Sequence, residues 1–206
     1  MEFKTEQEQF WNGEFGDEYV DRNTKEIYLA ADIALFAKAF QRTGKMDSII
    51  EFGANIGLNL MAIKLLFPTI EINAIEINEK ASTELEKVIP NANIFKGSIL
   101  NYEPKNKYDV ALIKGVLIHI NPDMLPAVYE KLYLSSKKYI LICEYYNPVP
   151  VTIAYRGHSE RLYKRDFAGE MLDLYPDLRL VDYGFIYHRD PHFPQDDATW
   201  FLLEKR

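Results

Sequence analysis

The sequence predicts a three-layer α/β sandwich: a mostly parallel, seven-stranded sheet between helical layers, finished by an antiparallel C-terminal strand. Three observations predict it. Short β-type apolar runs alternate with helical stretches from Met46 to Cys143. Turn and capping residues fall where the two kinds of segment meet, and no long crossover helix separates the last two apolar runs. Strands joined through helices run parallel, whereas strands joined without one pair antiparallel. At 206 residues, 48% of them hydrophobic, the chain suits one core. It reads as a single domain over 1–206, with an N-terminal lid and helix (1–45), a ligand-binding core (46–144), a substrate-side insertion (145–175) and C-terminal strands (176–206).

Each element follows in order. An apolar stretch from Ile27 to Phe40 reads as a helix, closed by Thr43-Gly44. Ser48 to Phe52 is the first strand and Leu58 to Leu66 its helix; Ile70 to Ile75 is the second strand, followed by the helix Glu79 to Val88. Asn93 to Lys96, Asp109 to Ile113 and Lys138 to Cys143 complete the parallel set, with the helix Pro122 to Leu134 before the last. Asn121 before Pro122 fits an N-cap with proline at the first helical position. Beyond Cys143, Glu144 to Arg165 reads as irregular, Asp166 to Leu174 as a helix, and Leu178 to His188 and Thr199 to Glu204 as strands.

Composition excludes several function classes. A formal charge of −7 disfavours nucleic-acid binding, which draws on clustered Lys and Arg. The N-terminus lacks the basic and apolar regions of an export signal, and Asp32 and Lys38 interrupt the most apolar early stretch, so no membrane span is expected. The single cysteine, Cys143, sits in the apolar run Tyr139 to Ile142 and reads as a buried thiol suited to a reducing cytoplasm. His188, Asp190 and His192 lack a second ligand cluster, so no metal is expected. A small-molecule ligand is the better expectation.

The strongest motif is Glu51-x-Gly53-x-Asn55-x-Gly57, where an apolar strand enters a small-residue turn and then a helix. Such a turn lets the backbone approach a ligand in the crevice at the strand's carboxyl end. Asparagine is among the few side chains that adopt positive φ readily. Glu76, at the end of the second strand and about 20 residues beyond Gly53, stands where nucleotide sites place the acid that holds ribose hydroxyls. The Gly-x-Gly-x-x-Gly run that cradles a pyrophosphate is missing. An acid beside the turn suits a cationic ligand such as S-adenosylmethionine (SAM) better than NAD.

These segments, with Gly97-Ser98-Ile99 after the third strand and Lys114 to Ile120 after the fourth, resemble the successive motifs of class I SAM-dependent methyltransferases on a Rossmann-like fold. The resemblance implies that Glu51, Gly53, Asn55 and Gly57 wrap the methionine part of SAM. It also implies that Glu76 binds ribose, Ile77, Ser98 and Ile99 meet adenine, and Lys114 lines the methyl-transfer site. Asn55 replaces a glycine of the pattern, and Ser98 an aspartate. The N-terminal segment Gln9 to Asn23, together with Tyr155-Arg156-Gly157-His158 and Lys164 to Met171, is similar to the methylases associated with pseudaminic acid biosynthesis. That resemblance implies a sugar-like acceptor and a lid over SAM carrying Tyr19 and Arg22.

Methyl transfer mainly requires an aligned acceptor, exclusion of water and, for a hydroxyl, removal of a proton. His119, near the expected methyl position, and His158 are candidate bases; His119 can equally begin a loop or pack against helices. Tyr155, Arg156 and Arg161 are candidates for binding an acidic acceptor by charge-assisted hydrogen bonds, or they form a solvated loop. The leading expectation is methylation of a hydroxyl on a nonulosonic sugar or pathway intermediate. An NAD-dependent oxidoreductase on the same core, a nucleic-acid amino-methylase suggested by Asn147-Pro148, and a non-catalytic SAM-binding protein are the alternatives.

Overall fold

The computed structural model describes residues 3–22, 25–155 and 158–206; of residues 22, 25–27, 155 and 158–161 it describes the backbone alone. Three helices, α1 (Glu6–Asn12), α2 (Glu14–Arg22) and α3 (Lys25–Ala39), precede the sheet. There follow β1 (Ser48–Phe52), α4 (Leu58–Leu66), β2 (Glu71–Glu76), α5 (Glu79–Val88), β3 (Asn93–Lys96) and β4 (Tyr108–Lys114). Then come α6 (Leu125–Ser135), β5 (Ser136–Glu144), a ribbon of β6 (Val151–Tyr155) and β7 (His158–Lys164), α7 (Phe167–Leu174), β8 (Leu178–Ile186) and β9 (Ala198–Lys205).

The seven-stranded sheet has the order β3-β2-β1-β4-β5-β9-β8. β1 to β5 pair in parallel, and only β9 is reversed, antiparallel to both β5 and β8. This is the Rossmann-like sheet that the alternation of runs predicts. The strand order changes direction between β1 and β4, and that switch point opens a crevice at the carboxyl ends of the strands.

The two-residue period of a strand divides the core between the sheet's faces. Ile49, Ala74, Leu112 and Leu141 pack on one face with Phe36, Leu60, Ile63 and Leu85 of α3, α4 and α5. Ile50, Phe52, Ile75, Ile113 and Ile142 pack on the other with Val128, Leu132, Phe167 and Met171 of α6 and α7. Both faces of the central strands are covered, so these read as unbroken apolar runs. Each fully buried Ile or Leu contributes about 1.5–3 kcal/mol relative to exposure.

Three sequence expectations are corrected. The segment 144–165 contains the antiparallel ribbon β6–β7, traced in sequence by the alternation of Val151, Ile153 and Tyr155 and masked by the charges of 158–165. The helix before β1 ends at Ala39 and not at Thr43-Gly44: Thr43 turns its amide and hydroxyl onto the Phe40 carbonyl (3.0 and 2.8 Å), and the Gly44 amide donates to the Tyr139 hydroxyl at 3.0 Å. Pro122 opens a 3-10 turn, capped by the Asn121 side chain, before α6 begins at Leu125.

Candidate functional site

A cavity of about 320 Å³ lies at the switch point, within the size range of small-molecule sites. Its floor is the turn after β1. Gly53, Asn55 and Gly57 all have positive φ (78°, 48° and 84°), so the asparagine adopts the conformation expected of it. The amides of Gly53 and Ala54 both donate to the Ile75 carbonyl (2.9 and 3.0 Å), locking the turn to β2. A Cβ on Gly53 would stand 2.6 Å from a Val116 methyl, and one on Gly57 would stand 2.2 Å from Leu85. Gly53 therefore admits the loop after β4, while Gly57 serves the packing of α4 against α5 and does not line the cavity.

Glu76 is the last residue of β2 and is buried at the cavity wall. Its carboxylate accepts from the amides of Asn55 (2.6 Å) and Asn78 (2.7 Å), so one side chain joins the turn after β1 to the loop after β2. Burial pushes its pKa up, opposed by those backbone donors. Asn78 caps α5 through Ala81, and its amide group donates to Asp17 (2.8 Å) and to the Trp11 carbonyl (3.3 Å). The N-terminal helices are thereby tied to the site. Trp11 packs against Phe15, Tyr19 and His119, with ring centroids 5.4, 5.4 and 4.7 Å away.

The structure gathers Tyr19, Gly53, Asn55, Glu76, Ile77, Ser98, Ile99, Lys114 and His119 around this one cavity. Glu51 lies behind the wall, fully buried, with one oxygen accepting from Asn59 at 2.6 Å and the other unpartnered. Burial pushes its carboxyl up to about 8. The Ser98 hydroxyl accepts from the Leu100 amide (3.0 Å), capping a 3-10 turn. The side chains of Arg22, Tyr155, His158 and Arg161, and the whole of Arg156, lie outside the described residues.

Asp32, Gln195, Glu144 and Glu8 are four of the lining residues that lie outside the motif reading. Asp32 of α3 is 2% exposed and accepts from Lys114 Nζ (3.1 Å) and Gln195 Nε2 (2.6 Å) on one oxygen. The Lys114 ammonium is held above its ordinary pKa by Asp32 and other acids, against the lowering effect of burial. Glu144, ending β5, accepts from the amides of Val116 and Leu117 (both 2.9 Å) and so fixes the turn that carries His119. Burial pushes its carboxyl up to about 7. Glu8 of α1 is the fourth. Only Glu8 had a local signal, the Thr5-x-x-Glu8 capping box; the others are brought in by tertiary structure.

Cys143 is buried and its thiol pushed up to about 12, as expected for an unreactive core position. His188 Nδ1 pairs with the Asp197 carboxylate at 2.9 Å, and the Asp190 carboxylate accepts the amides of His192 and Phe193. Among the described residues no three His, Cys, Asp or Glu side chains gather as metal ligands, and no helix is long and apolar enough to cross a membrane.

No protein-family model matches the sequence, and no curated protein matches it as a relative. Solved structures do. The chain is similar to the 1,6-didemethyltoxoflavin-N1-methyltransferase of Burkholderia thailandensis, solved with 1,6-didemethyltoxoflavin and S-adenosylhomocysteine (SAH), at a TM-score of 0.74 and 14% identity over 100% of this chain and 91% of that one. It is similar to the magnesium protoporphyrin IX methyltransferase ChlM of Synechocystis PCC 6803, solved with SAM, at 0.66 and 12% over 100% of both chains. The plantazolicin methyltransferase BpumL, solved with a pentazolic desmethylPZN analog and SAH, gives 0.65 and 15% over 97% of this chain and 94% of that one. The fold is the one shared by class I SAM-dependent methyltransferases.

Proposed function

We propose that the chain is a SAM-dependent methyltransferase whose acceptor is a small polar molecule, and more narrowly a hydroxyl of a nonulosonic (pseudaminic-type) sugar or its precursor, with residues 1–206 forming one functional unit. The observation that carries the cofactor reading is the positive-φ turn that begins at Gly53, tied through the Asn55 amide to the Glu76 carboxylate in the wall of one cavity. Glu8, Asp32, Glu76, Glu144 and Asp196 line that cavity, with Lys114 as the one Lys or Arg among the described lining residues. This balance suits a ligand bearing an ammonium and a sulfonium, and opposes a pyrophosphate.

In this reading Glu76 holds the ribose hydroxyls, Ile77 and Ile99 flank the base, and the backbone of Gly53 and Asn55 meets the methionine chain. The Asp32–Lys114 pair offers opposite charges to the amino-acid end. SAM supplies an electrophilic methyl when bound. We assign the acceptor proton to His119, with its 8% exposure and its contact with the Trp11 ring as support, and the exclusion of water to α1 and α2. Tyr155, Arg156, His158 and Arg161 are assigned to the acceptor, with the end-segment resemblance as their support.

The test is mass spectrometry of free and activated nonulosonic acids, and of amine and carboxylate acceptors, incubated with the protein and SAM. A methyl on a sugar hydroxyl with matching SAH supports the full proposal. Transfer only to other acceptors removes the sugar and keeps the enzyme class. No transfer from folded protein to any acceptor contradicts the catalytic reading.

A further inference from the structure

We propose that Glu8, from the N-terminal helix α1, reads the base of the methyl donor by accepting a hydrogen bond from adenine's exocyclic amine; this rests on the SAM reading above. In the SAM reading the ribose hydroxyls meet Glu76 and the methionine chain meets Gly53 and Asn55, so the base, on the other side of the ribose, lies toward residues 97–100 after β3. That loop has little to offer the amine: Ser98 turns its hydroxyl to the Leu100 amide, and Gly97, Ile99 and Leu100 have no side-chain acceptor.

Helix α1 spans this region. At its start Lys4 Nζ donates to the Leu100 carbonyl (3.0 Å), and near its end the Trp11 carbonyl accepts from Asn78 after β2 (3.3 Å). Glu8 stands between the two anchors, 7% exposed and lining the cavity. Its two oxygens are used unequally. Oε2 accepts from the amides of Lys4 and Thr5 (2.6 and 2.7 Å) and from the Thr5 hydroxyl (3.2 Å), whereas Oε1 is buried without a partner. A buried carboxylate oxygen left unpaired costs free energy that a ligand donor recovers. Adenine offers an N–H donor at that edge; hypoxanthine offers a carbonyl, which meets a carboxylate oxygen as a like dipole.

Titration calorimetry with SAH and its deaminated analogue, S-inosylhomocysteine, tests this. Wild-type protein is expected to prefer SAH by roughly 10- to 100-fold, the span of one charge-assisted hydrogen bond. Glu8→Gln keeps a carbonyl oxygen for the cap and presents an NH2 donor to the base, so the preference should collapse or invert, with thermal melting confirming the fold. Equal wild-type affinity for the two ligands overturns the proposal without any variant, as does an unchanged ratio in Glu8→Gln. Folded wild type that binds neither ligand removes the SAM reading itself.

Discussion

The wall of the cavity beside β1 and β2 is fixed by backbone conformation and backbone amides, whereas the wall beside β4 and β5 is fixed by side chains from distant segments. In the first, three positive-φ residues within five positions set the turn, and one carboxylate gathers two amides from neighbouring loops. In the second, Asp32 of α3, Lys114 of β4 and Gln195 of the β8–β9 loop meet on a single oxygen, and Glu144 of β5 holds the loop after β4. A turn held by backbone conformation tolerates few changes of residue, whereas side chains drawn from α3, β4, β5 and the β8–β9 loop can change one at a time on a fixed core.

That contrast can be broken experimentally, beginning where the effect is largest. Glu76→Ala removes both the proposed ribose ligand and the acceptor for two amides; SAH affinity by calorimetry should fall on the order of 100-fold, and stability should fall with it. Affinity unchanged in a folded variant would move the ribose elsewhere. Gly57→Ala forces a left-handed residue to carry a Cβ 2.2 Å from Leu85 and should cost about 2–4 kcal/mol in urea denaturation. On the other wall, Lys114→Met strands the buried Asp32 carboxylate with Gln195 alone. It should destabilise by about 1–3 kcal/mol, and adding Asp32→Asn should restore most of the loss. A double variant no better than the single would mean that the pair is not coupled.

The smallest effect is a pH dependence. Glu51 and Glu144 have folded-state values raised to about 8 and about 7 from 4.5. Above about pH 5 the unfolded chain has released these protons, while the folded protein holds that of Glu144 up to about pH 7 and that of Glu51 up to about pH 8. Stability should therefore be greatest near the unfolded value and decline as pH rises through 8. Glu51→Gln, which keeps an acceptor for Asn59, should flatten that decline in melts across this range; an identical slope would remove Glu51 as its source.

The same contrast governs what was legible in the sequence. β1, α4, α5 and β3 start and stop at the residues where apolar periodicity and turn residues place them, and Asn55 and Glu76 could be singled out because each stands at the end of an apolar strand, one in a small-residue turn and the other at a fixed separation from it. Asp32 and Gln195 could not. They are far apart in sequence and meet only once α3 and the β8–β9 loop have packed on the sheet. Glu51 differs again: it stands within the motif, yet its full burial behind Asn59 is set by the packing of α4 on the sheet and by nothing local in the sequence. The β6–β7 ribbon was hidden because, among its described side chains, Val151 and Ile153 are exposed and Leu162 alone joins the core, so charge outweighed alternation.

The most direct measurement is calorimetric titration of the folded protein with SAH, with NAD as the control. One-to-one saturable binding of SAH, and none of NAD, is expected from an acidic cavity whose turn and carboxylate fit a nucleoside bearing an amino acid. Tight binding of NAD, or no binding of SAH by protein with an intact melting transition, would contradict it.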